Sequence, residues 1–372
     1  MQNIVRKVYM SIMTVILVSL TLVTTTFAWV GILTFNQLSS FDLNLKTEKL
    51  NSDYYLSISA TEDGIYGESA NIDDIEYQIL KNRGKKVDSI DRKDISKMFS
   101  NETLMPATVT NSGLLTNDFH SLDLNNYKVS GNKSNDFFRF DLYLSVEHRY
   151  GDSAITDDVN NTVDVLFPNI GNSLRGNKKN TKLANTFSYP SENLDYNGLY
   201  KNYLPTFENK TISENEFITV DSSSAARFAL AFYEPILRDE NYTGSEVPRS
   251  VYIYQGGTQT PSFNDSTYSF GGILPEEYNI AYNEHKKIYN LGNDFSIPSE
   301  LINRGYLELN DKNKQLLDSN FGLGIVNGKK TKVKVTVWFW FEGWDADCFN
   351  VIDRSNVELN LVFATGEENR DN

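Results

Sequence analysis

The segment "KVKVTVWFWF", residues 332–341, alternates apolar and other side chains with strict period two. That period places successive side chains on opposite faces of a β-strand. The second face begins with lysines and ends with tryptophans, so we expect a loop, a helix or a partner to cover its later half. The first face is wholly apolar and predicts a core strand; its members are Val333, Val335, Val337, Phe339 and Phe341.

The same alternation recurs along most of the chain. Asn-, Gly-, Ser- and Asp-rich loops separate these segments, which do not alternate regularly with helices. This pattern predicts a mainly β fold, an antiparallel, jelly-roll-like β-sandwich over residues 41–365. The further strand segments are 41–50, 54–60, 137–148, 162–167, 226–235, 250–257 and 357–363.

Helices and loops are predicted as insertions in this β fold. Residues 71–84 have early aspartates and end at Gly84, which is typical of a short helix. Residues 275–307 predict a helical segment that starts at Pro275. The polar stretch 171–210 is interpreted as an insertion between strands, and the tail 366–372 as disordered.

The N-terminal segment is apolar and has no charged side chain from Val8 to Phe41. A run of this length is enough for a membrane-spanning helix, and we place the membrane contact at residues 8–35. Arg6 and Lys7 precede the run, which predicts a cytoplasmic N-terminus and an extracellular remainder. The small residues around Ala28 also fit a cleaved signal peptide, so residues 1–40 are either a signal peptide or a retained anchor.

Charge and cysteine content exclude some classes of protein. The 372-residue chain carries a formal net charge of −14, whereas binding to nucleic acid needs clustered Lys and Arg. Its single cysteine, Cys348, cannot form an internal disulfide. We expect this thiol to be buried as a small apolar group.

Three carboxylates follow the alternating strand in "EGWDADC": Glu342, Asp345 and Asp347. Asp and Gly favour turns, because Gly permits unusual backbone angles and Asp caps backbone amides. The sequence therefore predicts a structural turn. A Ca²⁺ site is the alternative, since Ca²⁺ binds several carboxylate oxygens, although the spacing is not that of an EF-hand loop. Catalysis by paired carboxylates is a third reading.

No motif for catalysis or for a cofactor is present in the sequence. The three histidines, His120, His148 and His285, are far apart and form no H-E-x-x-H motif. A nucleophile G-x-S-x-G, a P-loop and a G-x-G-x-x-G are also missing. We therefore expect a protein without catalytic activity and without a bound cofactor, calcium being the exception considered above.

Aromatic side chains on the second faces of strands are the better functional lead. Tyr and Trp on a sheet face suit contacts with proteins or stacking on sugars. Alternatively, this second face also belongs to the core and is covered by the helical segment 275–307. The predicted interaction surface comprises Trp338, Trp340, Tyr252, Tyr254 and Tyr143.

Five short fragments occur in order and span most of the chain: "TTTFAWV", "YYLSISATEDG", "LMPATVTNSG", "FRFDLYLS" and "VWFWFEGWDADCFN". Together they resemble exported surface proteins of low-GC Gram-positive bacteria and their wall-less relatives. The chain also resembles the TasA and camelysin-type matrix proteins in its apolar leader and in the expected jelly-roll-like β-sandwich. The resemblance implies secretion and fibre or surface assembly.

Together these features predict an exported, membrane-tethered protein of a cell surface or biofilm matrix, with a structural or adhesive role. Self-association and contacts with other surface proteins are the expected partnerships, along with the membrane. Two other readings stay open. Jelly rolls also build phage and virion shells, and camelysin-type proteins carry a metallopeptidase label that the sequence itself does not support.

Overall fold

The computed structural model describes most of the chain after residue 40. The described residues are 41–48, 54–88, 90–102, 104, 106–122, 129–131, 136–152, 161–168, 171–182, 187–188, 211–212, 216–256, 267–269, 272–273, 307–309, 315–318, 322–348 and 356–366. Within them the fold is mainly β with few helices, as the sequence predicted.

The strands are numbered in chain order. They are β1 (Phe41–Glu48), β2 (Tyr54–Ser59), β3 (Ala107–Val109), β4 (Phe119–Leu122), β5 (Val129–Gly131), β6 (Phe138–His148), β7 (Asn161–Thr162), β8 (Asp164–Phe167), β9 (Ser173–Gly176), β10 (Lys178–Lys182), β11 (Phe187–Ser188), β12 (Thr211–Ile212), β13 (Phe217–Asp221), β14 (Ala226–Phe232), β15 (Ile236–Leu237), β16 (Ser250–Gln255), β17 (Thr267–Tyr268), β18 (Leu307–Glu308), β19 (Gln315–Asp318), β20 (Gly324–Val326), β21 (Lys329–Phe341) and β22 (Val357–Gly366).

The larger sheet is built around β21. This strand pairs antiparallel with β6 on one side and with β14 on the other. β2 extends the sheet beyond β6, while β16 and then β18 extend it beyond β14. β20 turns into β21 through Asn327 and Gly328, whose φ angles of 48° and 71° are those of a two-residue hairpin turn.

The second sheet joins the first described strand to the last. β1 pairs with β22 in parallel, with Phe41 opposite Val357 and Glu48 opposite Ala364. β8 and β9 pair antiparallel with the other side of β22, and β19 follows β8. The parallel β1–β22 pair departs from the purely antiparallel prediction. The interpretation of residues 41–48 as a core strand is confirmed, because Phe41 and Leu45 are buried.

Both sheets contribute side chains to one hydrophobic cluster. The ring of Phe41 in β1 lies 5.3 Å from that of Phe138 in β6 and 4.4 Å from that of Phe339 in β21, measured between centroids. The predicted core face of β21 is confirmed, since its five apolar side chains are all buried in this cluster. The two sheets therefore share their main core.

Three α-helices are described, α1 (Ile72–Asn82), α2 (Arg92–Phe99) and α3 (Asn111–Thr116), together with a short 3-10 helix at Ser222–Ala225. The helix predicted at residues 71–84 is confirmed as α1. Asn71 Oδ1 accepts from the Asp73 amide at its start, and Gly84, with φ of 75°, follows its end.

Helix α1 also covers part of an open sheet edge. β2 pairs with Tyr143 to His148 of β6, and among the described residues no strand pairs with the first half of β6 on that side. There Gln78 exchanges two hydrogen bonds with the Asp141 backbone, and Asn82 donates to the Arg139 carbonyl. A covered edge is protected against pairing with other chains.

Some predictions fall partly or wholly outside the described residues. These include the apolar segment 1–40, nearly all of the helical segment 275–307, and the tail beyond Gly366. In the part of the chain that is described, no helix has the length and apolar character needed to span a membrane. The region 171–210, interpreted as an insertion, contains β9, β10 and β11, which pair with β22, β13 and β12.

Candidate functional site

The acidic segment after β21 is a buried turn held by backbone hydrogen bonds to three other segments. The amide of Glu342 donates to the Ala225 carbonyl at 2.8 Å, and that of Gly343 donates to the Ala107 carbonyl at 2.9 Å. The amide of Ala346 donates to the Gly272 carbonyl at 2.8 Å. The predicted turn is therefore present, and its carboxylates lie in the interior of the fold.

Asp345 forms a buried ion pair with Arg227 of β14, and neither side chain is exposed. Arg227 also donates from Nη1 to the carbonyls of Ser224 and Ala226, at 3.0 Å each. Burial raises the pKa of Asp345, while the Arg227 guanidinium and the Asp347 amide oppose that rise. The ion pair through Nη2 and the two backbone contacts through Nη1 together hold the guanidinium in one orientation.

The other two carboxylates accept hydrogen bonds from neighbouring protein groups. Glu342 accepts from the indole Nε1 of Trp340 at 3.3 Å and from the amide of Trp344 at 3.4 Å. Asp347 accepts from the hydroxyl of Ser269 at 3.1 Å. The capping role predicted for the aspartates is seen at Asp345, whose Oδ1 accepts from the Asp347 amide at 2.8 Å.

The positions of Glu342, Asp345 and Asp347 can be compared with what a Ca²⁺ site requires. No group of three or more His, Cys, Asp or Glu side chains in the described residues is placed to hold a metal ion. Ca²⁺ needs six to eight oxygen ligands, whereas oxygens of Glu342, Asp345 and Asp347 accept from protein donors. Calcium binding at these residues stays a prediction.

Cys348 ends this turn and is buried, as the sequence predicted. Its amide donates to the Asp345 carbonyl at 2.9 Å. Burial raises the pKa of the thiol well above its ordinary value, and the nearby carboxylates of Asp345 and Glu342 raise it further. The thiol is therefore protonated at neutral pH and is a poor nucleophile.

The two tryptophans of the predicted interaction surface are buried, at 1% exposure for Trp338 and 0% for Trp340. A layer made of β3, α3 and β4 covers them with Val109, Leu114 and Phe119, in a second hydrophobic cluster. A cover over this half of the face was one expectation from the sequence, and the structure shows it; the exposed interaction surface predicted at Trp338 and Trp340 is corrected, because both side chains are buried. The covering layer overlaps the quoted fragment "LMPATVTNSG" in β3 and at the start of α3. The alternative drawn from the sequence was a cover from residues 275–307, nearly all of which lie outside the described residues.

Polar atoms fix this cover to the strand. The indole Nε1 of Trp338 donates to Asn117 Oδ1 at 2.8 Å, and Asn117 caps α3 with φ of 56°. Phe119 contacts Trp340 edge-on, with ring centroids 5.5 Å apart. The apolar body of each tryptophan thus packs in the cluster while its single N–H reaches an oxygen, as buried indoles require.

The tyrosines of β16 point to the opposite face from the one predicted. Tyr254 is buried in the main core, where its ring stacks on Phe228 at 4.8 Å between centroids. Tyr252 also packs against the main core, and Ile253 packs against the second cluster. The alternation alone could not decide which face is inner, because both faces of this sheet contact apolar neighbours.

Tyr143 lies on the outer face of β6 and is 8% exposed. The ring of Tyr242 lies 6.3 Å away, and its hydroxyl accepts from the Lys334 amide at 2.9 Å. Burial raises the pKa of both tyrosines above the ordinary value, so they stay protonated. Beside them, the fully buried Lys332 lies 3.2 Å from the Glu62 carboxylate.

Of the three histidines, two are described, and they lie in separate places. His120 of β4 is 3.5 Å from Asp118, and His148 packs edge-on against Tyr54 at 4.9 Å between centroids. His285 lies outside the described residues. His120 and His148 therefore belong to different strands with different neighbours.

Sequence reasoning missed Arg227, which is the cation of the buried pair. The signal was available, because "ARFALAF" places one charge in an otherwise apolar strand. A charge in such a strand is seldom left unpaired, so a buried carboxylate partner was to be expected.

Comparison of the chain with protein-family models, curated proteins and solved structures found no match.

Proposed function

We propose that this chain is an exported surface or matrix protein, tethered to the membrane by residues 8–35 and without catalytic activity. The N-terminus is cytoplasmic, and the folded part lies outside the cell. Its role is structural or adhesive. The two main sheets form a jelly-roll-like β-sandwich in this proposal, which the hydrophobic cluster shared between them supports.

The observation that carries the proposal is the junction at Phe41. The segment from Val8 to Phe41 has no charge, and the buried ring of Phe41 belongs to the core of the folded part. A membrane-spanning segment would thus lead into the core strand β1 after only a few residues. Such a short connection suits a domain held close to a membrane rather than one on a long linker.

The chemistry of the acidic turn supports a structural role. Its carboxylates accept from buried donors, its thiol is protonated, and its arginine is paired with Asp345. Catalytic acids and bases need a reacting group within hydrogen-bond reach. The three carboxylates Glu342, Asp345 and Asp347 are fully buried, which suits a turn that fixes neighbouring segments.

Cell fractionation with protease treatment of intact cells tests the proposal. The expected result is a membrane-bound chain whose folded part is cleaved or labelled from outside. N-terminal sequencing then separates a retained anchor from cleavage after Ala28. A chain that remains in the cytosolic fraction and is protected in intact cells would overturn the proposal.

A further inference from the structure

Lys332 of β21 is fully buried, which is unusual for a lysine side chain. Its strand lies between Ser145 of β6 and Ile236 of β15 at this position. The ion-pair partner is Glu62, with 3.2 Å between Nζ and Oε1. Among the described residues Nζ makes no hydrogen bond, so this close contact lacks the angles that a hydrogen bond needs. An ammonium buried in this way is costly, because one ion pair without hydrogen bonds compensates poorly for lost hydration.

The carboxylate of Glu62 is held in place by the backbone of two loops. Glu62 lies between Ile58 and Gly67, whose backbones exchange hydrogen bonds of 2.8 and 3.0 Å. Its Oε1 accepts from the Tyr242 amide at 2.7 Å. The Tyr242 hydroxyl in turn accepts from the amide of Lys334, in the same strand as Lys332. The carboxylate is therefore fixed beside Nζ rather than free to turn away.

Three tyrosines surround this pair and limit the access of water. The rings of Tyr143 and Tyr242 lie 6.3 Å apart, and the Arg238 guanidinium lies 4.2 Å from the centre of the Tyr66 ring. Burial raises the pKa of all three phenols, and the nearby charge of Glu62 raises each pKa further. The phenols therefore stay neutral beside the carboxylate. A site bordered by such groups weakens the hydration that would otherwise keep an amine and a carboxylate as separate ions.

An amine and a carboxyl group held this close can condense to an amide. Nζ adds to Cδ of Glu62, which forms the new C–N bond and places negative charge on Oε1. The Tyr242 amide already donates to that oxygen and stabilises the charge as it develops. The bond from Cδ to Oε2 then breaks, and Oε2 leaves as water with two protons from the ammonium of Lys332. The side chain of Glu62 is 22% exposed, so the water has a route to solvent, and no further reactant is consumed.

We propose that Lys332 and Glu62 are the site of an intramolecular isopeptide bond. The bond replaces a buried ion pair by a neutral amide and joins the central strand of the larger sheet to the loop after β2. The single cysteine, Cys348, leaves the chain without an internal disulfide, and this amide supplies a covalent cross-link in its place. Like a disulfide that closes a long loop, it restricts the unfolded chain and so stabilises the fold. It forms within the folded chain and does not depend on export.

The test is mass spectrometry of the purified full chain under denaturing conditions. We expect an intact mass below the mass calculated from the sequence, by one water molecule. Tryptic digestion should give a branched peptide that joins the segments containing Glu62 and Lys332. Lys332→Met and Glu62→Ala should each restore the full mass. The matched control is Lys330→Met, which removes the lysine that pairs with Glu147 and Asp152 on the same face of β21, and it should keep the whole deficit.

A parent chain with its full calculated mass would overturn the isopeptide bond. A deficit that persists in Lys332→Met would do the same. Asp63 and Gly64 can also lose one water by forming a succinimide, but that product is a linear peptide. A deficit that tandem mass spectrometry places in such a linear peptide therefore contradicts the proposal as well. The parent's own branched peptide decides the question even where a variant fails to fold, and the result is independent of the fractionation that tests export.

Discussion

Strand β21 has two faces that differ in chemistry, yet both lie in the interior. The face with Val335 and Phe339 packs in the main hydrophobic cluster, to which both sheets contribute apolar side chains. The opposite face carries Lys332, Thr336 and Trp338, and the structure covers it with α3, β3, β4 and the Tyr242 segment. The first face excludes water by packing, whereas the second must also provide a partner for each polar atom.

The difference predicts two kinds of sensitivity. On the apolar face, a truncation removes contacts and leaves a cavity. On the polar face and at the turn that follows it, removing one group leaves its partner buried without compensation. Substitutions that separate these two mechanisms therefore test whether the two faces are stabilised in different ways.

The largest expected effect is at the buried ion pair. Arg227→Met keeps most of the side-chain volume but leaves the Asp345 carboxylate buried without its cation. We expect a loss of about 5 kcal/mol in the free energy of unfolding, measured by urea denaturation of the full chain. Arg175→Met is the matched control, because Arg175 is exposed on β9, and it should cost less than about 0.5 kcal/mol.

The loss caused by Arg227→Met should depend on pH. Arg227 lowers the pKa of Asp345, so its removal raises the folded-state pKa further above the unfolded value. Below the unfolded pKa both states hold the proton, and no charge is buried. As pH rises toward the folded pKa, the unfolded state alone releases the proton, and stability falls. A deficit that is equally large at acidic and neutral pH would argue against an ionic role for the pair.

Phe339→Ala should have the next largest effect. The ring is fully buried and lies 4.4 Å from Phe41 between centroids, so its loss leaves a cavity between the two sheets. The expected cost is about 4 kcal/mol, without the pH dependence of the Arg227 variant. Phe217→Ala, which removes an exposed ring, is the control. Equal costs for the two phenylalanines would show that the face assignment is in error.

Trp338→Phe should cost less, about 2 kcal/mol. It shortens the apolar body and removes the indole N–H that donates to Asn117 Oδ1. In an Asn117→Gly background this hydrogen bond is already lost, so the same substitution should cost less. An identical cost in both backgrounds would mean that packing alone holds the cover on this face.

The smallest effect is expected on the exposed face of β1. Asn44→Ala changes a solvent-facing side chain of a strand whose alternate residues are buried. The change in unfolding free energy should stay within about 0.5 kcal/mol. Leu45→Ala, on the buried face of the same strand, should lower the unfolding free energy by about 2 kcal/mol or more. That value is the lower end of the range for truncating a buried leucine.

The sequence predicted those parts of the fold that depend on local pattern. Period two identified β1, β6, β14, β21 and β22, and caps identified α1. The Asn327–Gly328 dipeptide is also typical of the two-residue turn in the β20–β21 hairpin. The parallel β1–β22 pair was missed, because periodicity gives no strand order or direction.

The candidate site was predicted less well, for a physical reason. The turn at residues 342–348 was correctly inferred, but its burial depends on segments distant in sequence, such as Ala107, Ala225 and Gly272. Trp338 and Trp340 are buried because α3 and β4 cover them, and no local sequence pattern links these elements to β21. Burial on the second face of a sheet is set by tertiary contacts, which a single sequence does not contain.

Hydrogen exchange measured by mass spectrometry tests the two-sided burial of β21 most directly. Amides in a strand covered on both faces exchange only when the whole fold opens. We predict that peptides spanning residues 332–341 exchange with the free energy of global unfolding. Peptides from α3 and β4 should show similar protection, since they form the cover. Exchange of residues 336–341 through a local opening well below the global value would contradict the buried outer face.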